Sequence, residues 1–285
     1  MQIEINTFIQ VNLKKLTNKT FSKKYISQYI TPIIKNINNS EHKKFIIAGS
    51  QGAGKSTLAK LFKLVLENRY KKKVMLLSID DYYLSKNKRV KLSKKIHPLL
   101  STRGVPGTHD ILRLKNDIIN FQTKNFPITT PIFNKLKDDT SIKKKTIKYA
   151  EILLLEGWCC GSPSINTKYL LQNINRVETL LDKNKKWRQY YNSQLKMEYK
   201  KVFSLFDQQI YIEPPSFNYV LKWRYAQEKN NALKSRNKDF MNKKELQTFI
   251  QHYEKLTRWM MKIMPAKADI LIKIDSNQKI KKVII

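Results

Sequence analysis

The stretch Gly49-Ser50-Gln51-Gly52-Ala53-Gly54-Lys55-Ser56-Thr57 constrains this chain more than any other. It satisfies the pattern G-x-x-x-x-G-K-[ST] and directly follows the apolar run FIIAG (45–49). After it, Leu58, Leu61, Phe62, Val65 and Leu66 recur at three- and four-residue steps, which predicts a helix from Ser56 to about Tyr70. A second apolar run, VMLLSI (74–79), comes next, so the order is strand, helix, strand. That is a βαβ unit and implies an α/β fold on a parallel sheet. Glycines in such a turn let backbone N–H groups point inward around a phosphate, and the helix N-terminus adds its partial positive charge. Lys55 is then expected to reach the β- and γ-phosphates and Ser56 to ligate Mg²⁺. Average residue usage gives the pattern roughly a 1% chance of arising at random in a chain this long. Residues Gly49 through Thr57 are therefore read as the nucleotide-binding loop.

Three further apolar runs, ILLLEG (152–157), QIYIE (209–213) and ADILIKI (268–274), complete a predicted set of five buried parallel strands. The gaps between them are uneven, with about 70 residues between strands two and three and about 50 between three and four. Long insertions in an α/β domain carry substrate sites or lids. Residues 1–42 are polar with scattered apolar positions, interrupted by Pro32, and read as an N-terminal extension. Residues 43–285 form the main domain, with a substrate-side insertion at 86–150, a helical insertion at 158–207 and a lid region at 214–240.

Strand two ends in Ser78-Ile79-Asp80-Asp81-Tyr82-Tyr83, and strand three in Glu156-Gly157-Trp158. Carboxyl ends of parallel strands share one rim, so these acids are expected beside the phosphate loop. A carboxylate there accepts a proton from an attacking hydroxyl or holds Mg²⁺. A solvated Asp-Asp turn and a helix cap are the alternatives. Arg103-Gly-Val-Pro-Gly-Thr108-His109-Asp110 runs into a helical pattern, which suits either an anion site or a structural turn capped by Thr108 or Asp110. Trp223-Arg224-Tyr225-Ala226-Gln227-Glu228 follows strand four and Pro214-Pro215, and by spacing alone Arg224 can form an i, i+4 pair with Glu228 on a helix surface.

Taken in order, GSQGAGKST, SIDDYYL, RGVPGTHD, PIFNK, LLLEGWCCG and WRYAQE resemble the D-glycerate 3-kinase-like P-loop kinases, within the group of uridine kinases, phosphoribulokinases and pantothenate kinases. The resemblance covers roughly residues 43–285. It implies a three-layer P-loop NTPase fold with strand order 2-3-1-4-5, ATP with Mg²⁺ as phosphoryl donor, and a small hydroxyl compound as acceptor. On that resemblance Asp80 is the general base, and Lys55 and Arg224 act on the transferring phosphoryl group. Ser56 and Glu156 are the metal ligands, and Asp81, Tyr83, Arg103, His109 and Lys135 meet the acceptor. A glycerate-like acid is the expected acceptor. Asn134 and Thr140 depart from the resembled family, many members of which have Phe-Asp-Lys, with Asp-Asp-Arg often following in bacterial relatives, so a degenerate ATP-binding protein stays open as an alternative.

With 56 Lys+Arg against 22 Asp+Glu the formal net charge is +34, which raises a nucleic-acid-associated P-loop protein as a third reading. The cations are 47 Lys and only 9 Arg, scattered along the chain, and this argues against a dedicated phosphate-backbone reader. A hydrophobic content of 41% excludes a disordered polycation. No apolar run of membrane-spanning length and no secretory leader pattern occur, and Cys159 and Cys160 are adjacent, so a cytoplasmic protein is expected. Those cysteines show no zinc-ligand spacing, and the stripe Tyr253, Leu256, Met260, Met261 and Met264 reads as core. Monomer and homodimer are equally compatible with the sequence.

Overall fold

The computed structural model describes residues 2–235 and 243–285. Its centre is a sheet of β1 (Lys44–Gly49), β2 (Val74–Ser78), β3 (Ile152–Gly157), β4 (Gln208–Glu213), β5 (Ile270–Ile274) and β6 (Ile280–Ile284), in the spatial order β6-β5-β4-β1-β3-β2. The first five strands are parallel, in the order 2-3-1-4-5. The sheet has six strands instead of the expected five, because β6 returns antiparallel to β5 at one edge. Lys281 and Lys282 are exposed on β6, and an edge strand carrying lysines does not read as a buried apolar run.

Alternate residues of the strands enter two separate hydrophobic layers. Phe45, Ile47, Leu154, Ile210 and Ile272 face one, and Ile46, Ala48, Leu77, Leu155 and Tyr211 face the other. Both faces are apolar, which is why the strands appear as continuous hydrophobic runs. Helix α3 (Lys55–Arg69) follows the phosphate loop and buries Leu58, Leu61, Phe62, Val65 and Leu66 in the first layer.

The segment read as a polar extension also belongs to this layer. Helices α1 (Gln2–Thr17) and α2 (Thr31–Asn39) contribute Ile5, Ile9, Leu13, Ile33, Ile34 and Ile37, all buried. Pro32 sits in the first turn of α2, where its missing N–H costs nothing. The opposite layer receives α4 (Lys86–Lys95), whose Leu92 packs against it, α5 (Ile111–Gln122) and α6 (Lys186–Gln194). Helix α7 (Phe217–Ser235) and helix α8 (Lys243–Ile263) follow β4, and Tyr253, Leu256 and Met260 of α8 enter the same layer. Residues 236–240 of the expected lid region lie outside the described residues.

Candidate active site

Register places the motif residues together. Glu156 on β3 lies beside Ile47 of β1 on one side and Ser78 of β2 on the other. Gly49 and Asp80 each stand two residues beyond those partners, so the phosphate loop, Asp80 and Glu156 emerge on one rim. There they line a cleft of about 610 Å³ together with Tyr83, Arg103, Lys135, Trp158, Trp223, Arg224 and Tyr253.

The loop is shaped by close packing as much as by its own glycines. Gly52 has φ +78°, and a Cβ on it would stand 2.6 Å from the Cβ of Trp223 on α7. Both the left-handed backbone and the contact demand glycine there. Gly54, with φ +91°, begins α3. Lys55 Nζ donates to Ser50 O at 2.8 Å. Burial pulls the Lys55 ammonium below its usual range, against the attraction of Glu156 and Asp80. The Ser50 hydroxyl and Gln51 Oε1 are buried with no hydrogen-bond partner among the described residues, as expected of a loop built to meet a polar ligand.

Asp80 sits in the 3₁₀ turn Ile79–Tyr82 directly after β2. Its Oδ1 accepts from Tyr83 Oη at 2.8 Å and its Oδ2 from Lys135 Nζ at 2.8 Å. Burial raises its pKa, but the Lys135 ammonium and the Tyr83 hydroxyl outweigh burial and hold the carboxyl below the ordinary carboxylate value. Glu156 is 7% exposed and faces the cleft between the loop and Asp80. Ser56, Glu156 and Asp80 line the same cleft, and hydroxyl and carboxylate oxygens are the donor types a hard divalent cation takes. No grouping of three or more His, Cys, Asp and Glu suited to a metal ion occurs among the described residues.

Two expected acceptor residues stand behind the cleft wall. Asp81 Oδ1 accepts from Phe133 N at 3.2 Å and so braces the hairpin Phe133–Asn134/Asp139–Thr140, which carries Lys135. His109 is 4% exposed and stacks on Tyr83 at 4.5 Å, with Nδ1 2.7 Å from Tyr199 Oη. Burial holds its pKa down at about 4, so the ring is neutral. The segment carrying His109 is held by Leu84 N to Thr108 O and Asp110 N to Tyr82 O. Thr108 closes its own turn by accepting from Gly104 N, and Asp110 caps α5 through Arg113 N. Arg103 alone of this motif lines the cleft.

Arg224 lines the cleft from α7, with its guanidinium 5.8 Å from the Phe249 ring centroid. The side chain of Glu228, the alternative partner of Arg224, lies outside the described residues. Asn134 Oδ1 accepts from Leu136 N and Lys137 N, so the departure from the family motif closes the hairpin turn. Cys159 and Cys160 are buried free thiols, and burial raises Cys159 to about 12.

Several wall residues escape sequence reasoning. Tyr253 reads as core, yet its hydroxyl donates to Arg103 O at 2.7 Å across 150 residues. At the other end, Leu13, Leu16, Phe21 and Tyr25 face Asn277, Gln278 and Lys279 of the β5–β6 turn. Gln278 Nε2 donates to Gly52 O at 2.6 Å, and Tyr25 Oη accepts from Ile280 N at 2.6 Å. These contacts tie the phosphate loop to the sheet edge and the sheet edge to the N-terminal segment.

No family model matches the chain. A protein described as an uncharacterized kinase of Schizosaccharomyces pombe is 30% identical over 224 residues, covering 73% of this chain and 76% of that protein. The chloroplastic D-glycerate 3-kinase of Arabidopsis thaliana is 26% identical over 216 residues, 71% of this chain and 44% of its own length. Pantothenate kinases, among them that of Streptococcus mutans, are also similar. Among solved structures, D-glycerate 3-kinase from Cryptococcus neoformans superposes with a TM-score of 0.73 at 21% identity, covering 100% of this chain and 98% of that one.

Proposed function

The chain belongs to the D-glycerate 3-kinase-like P-loop kinases, and on that footing we propose that it transfers the γ-phosphoryl group of ATP to a hydroxyl of a small anionic acceptor, a glycerate-like acid being the named candidate. The observation that carries this reading is the grouping of Lys55, Asp80 and Glu156 on one rim, with Arg103 and Lys135 on the wall beside Asp80.

The phosphate loop and Lys55 cradle the triphosphate, and its nucleoside extends toward Leu13, Phe21 and the β5–β6 turn. Ser56 and Glu156 are the residues that would hold Mg²⁺, which neutralises charge on the β- and γ-phosphates when bound. Asp80 orients the acceptor hydroxyl, and both its oxygens keep a lone pair beyond those given to Tyr83 and Lys135. The acceptor oxygen forms the new O–P bond as the bond to the β–γ bridging oxygen breaks. The hydroxyl proton passes to Asp80, and ADP leaves. A depressed base pKa suits a loose transition state in which alignment matters more than early proton removal. Arg224 supplies positive charge to the transferring group. Arg103 and Lys135 favour a carboxylate or phosphate on the acceptor.

The test is an ATP-consumption screen over D-glycerate, pantothenate, nucleosides and sugar phosphates, with mass detection of the product. Phosphorylated D-glycerate supports the named acceptor. Phosphorylated pantothenate alone replaces it, an outcome that the pantothenate kinase relatives keep in view.

A further inference from the structure

Arg89 on α4 is completely buried. Its Nε donates to Leu84 O at 3.2 Å, one Nη to Ser101 O at 3.2 Å, and the other to Asp138 O at 2.6 Å and to Asp138 Oδ2 at 2.8 Å. Its three backbone carbonyl partners satisfy hydrogen bonds, while the compensating charge comes from the Asp138 carboxylate. Separating the two would strand a cation out of water, so Asp138 is anchored from below. Its second oxygen, Oδ1, accepts from Nη1 of Arg103. One carboxylate thus bridges a buried arginine to an arginine that lines the cleft.

The bridge is held at several further points. Asp138 occupies the tip of the Phe133–Asn134/Asp139–Thr140 hairpin with φ +50°. The neighbouring Asp139 fixes the hairpin to the start of α4 by accepting from Lys86 N at 3.0 Å. Both guanidinium groups approach the Phe133 ring, Arg89 at 5.9 Å and Arg103 at 5.5 Å from its centroid. Phe133 in turn meets Tyr83, whose hydroxyl holds Asp80.

From this geometry we propose that Asp138 is the positioning residue for Arg103. It spends one N–H of the guanidinium on a fixed carboxylate and presents the rest of the fork to an anionic group of the acceptor. An arginine that is 25% exposed would otherwise sample many rotamers, and holding it lowers the cost of ordering it on binding. The inference rests on the reading of the cleft's acceptor end given above. Asp138 does not line the cleft, so its effect on the acceptor passes through Arg103.

Two measurements on Asp138→Asn test the proposal. The first needs no acceptor: the rate at which phenylglyoxal modifies Arg103, read by peptide mass spectrometry with exposed Arg69 as internal reference. Losing the carboxylate should speed Arg103 labelling by about fivefold or more. The second is steady-state turnover of D-glycerate. Its KM should rise by roughly tenfold with kcat and the ATP KM nearly unchanged, because ground-state and transition-state binding lose the same contact. Adding Asp138→Asn to Arg103→Ala should raise that KM no further. Should Asp138→Asn fail to fold around its unpaired Arg89, the pair Arg89→Met/Asp138→Asn removes the buried charge and carries both measurements. Faster labelling with no D-glycerate turnover by the unaltered protein would remove that acceptor and still support Asp138 as the anchor of Arg103. Unchanged labelling overturns the proposal, as does an unchanged KM in a protein that turns D-glycerate over.

Discussion

Lys135 Nζ lies 2.8 Å from Asp80 Oδ2, so a cation on the Phe133–Asn134/Asp139–Thr140 hairpin rests on the carboxylate that follows β2. The pair joins two parts of the chain 55 residues apart. It holds the carboxyl of the group proposed as base below the ordinary carboxylate value against burial, and ties that group to the hairpin proposed to meet the acceptor.

Asp80→Asn should leave ATP affinity within a few-fold of the unaltered protein while lowering phosphoryl transfer by about a thousandfold or more, since the amide keeps the shape but cannot take the proton. ATP binding by calorimetry and product formation by mass detection separate the two effects. Undiminished turnover would remove Asp80 from the base role.

Removing the cation gives a pH readout. Asp80 is held below the ordinary carboxylate value with Lys135 as the leading cause acting against burial. Activity that needs ionised Asp80 is therefore retained at mildly acidic pH and lost as pH falls through that depressed value. In Lys135→Met burial is less opposed, so the acidic limb of kcat/KM should move to higher pH. A limb that stays in place would mean that another group titrates there.

Much of this site is written locally, and the rest is not. The phosphate loop is a contiguous motif between two periodic elements, and β3 announces Glu156 by three leucines before it. The N-terminal helices are harder to read, because the i, i+4 stripe Ile5, Ile9 and Leu13 is diluted by Asn6, Thr7, Gln10 and Asn12. Tyr253 follows the helical stripe of core residues, and nothing in that spacing announces a hydroxyl bonded to Arg103 O. The Arg89–Asp138–Arg103 bridge depends on a hairpin folding back over α4, and no spacing rule encodes it. His109 is ambiguous in the sequence, where its motif suits either an anion site or a structural turn, and the fold places its ring behind the cleft wall, stacked on Tyr83.

The N-terminal segment supplies a stability prediction. Ile9 is 0% exposed and packs in the layer shared with α3. Ile9→Ala should cost about 2–5 kcal/mol, visible as a lower urea midpoint with an unchanged slope. A dispensable extension would instead tolerate the change within about 0.5 kcal/mol.

His109 gives a second stability prediction, with the sign fixed by linkage. Its folded pKa, about 4, lies below the ordinary 6.5, so between these values the unfolded chain binds the proton that the folded chain excludes. Its contribution is present in full above about pH 6.5 and is lost as pH falls toward 4, by roughly 3 kcal/mol over the window. Urea melts at pH 7 and pH 4.5 should show the loss, and His109→Gln should flatten that part of the dependence. An equal slope in the variant would assign the titration elsewhere.

The cleft concentrates a small part of the net charge of +34, an excess of four positive charges among the described residues. Among the described residues, Lys19, Lys55, Arg103, Lys135, Arg224 and Lys279 line it against Asp80 and Glu156, so cations outnumber acids six to two where a triphosphate and an anionic acceptor would meet. Over the whole surface a scattered excess is screened within about 8 Å at physiological salt, whereas charges converging on a concave site reinforce one another. The kcat/KM for ATP should therefore fall severalfold between about 50 and 300 mM salt, mainly through KM. Polynucleotide added at 150 mM salt should neither bind nor compete with ATP. Tight, steeply salt-dependent binding of RNA or DNA would show instead that the excess lysine forms a backbone-binding surface.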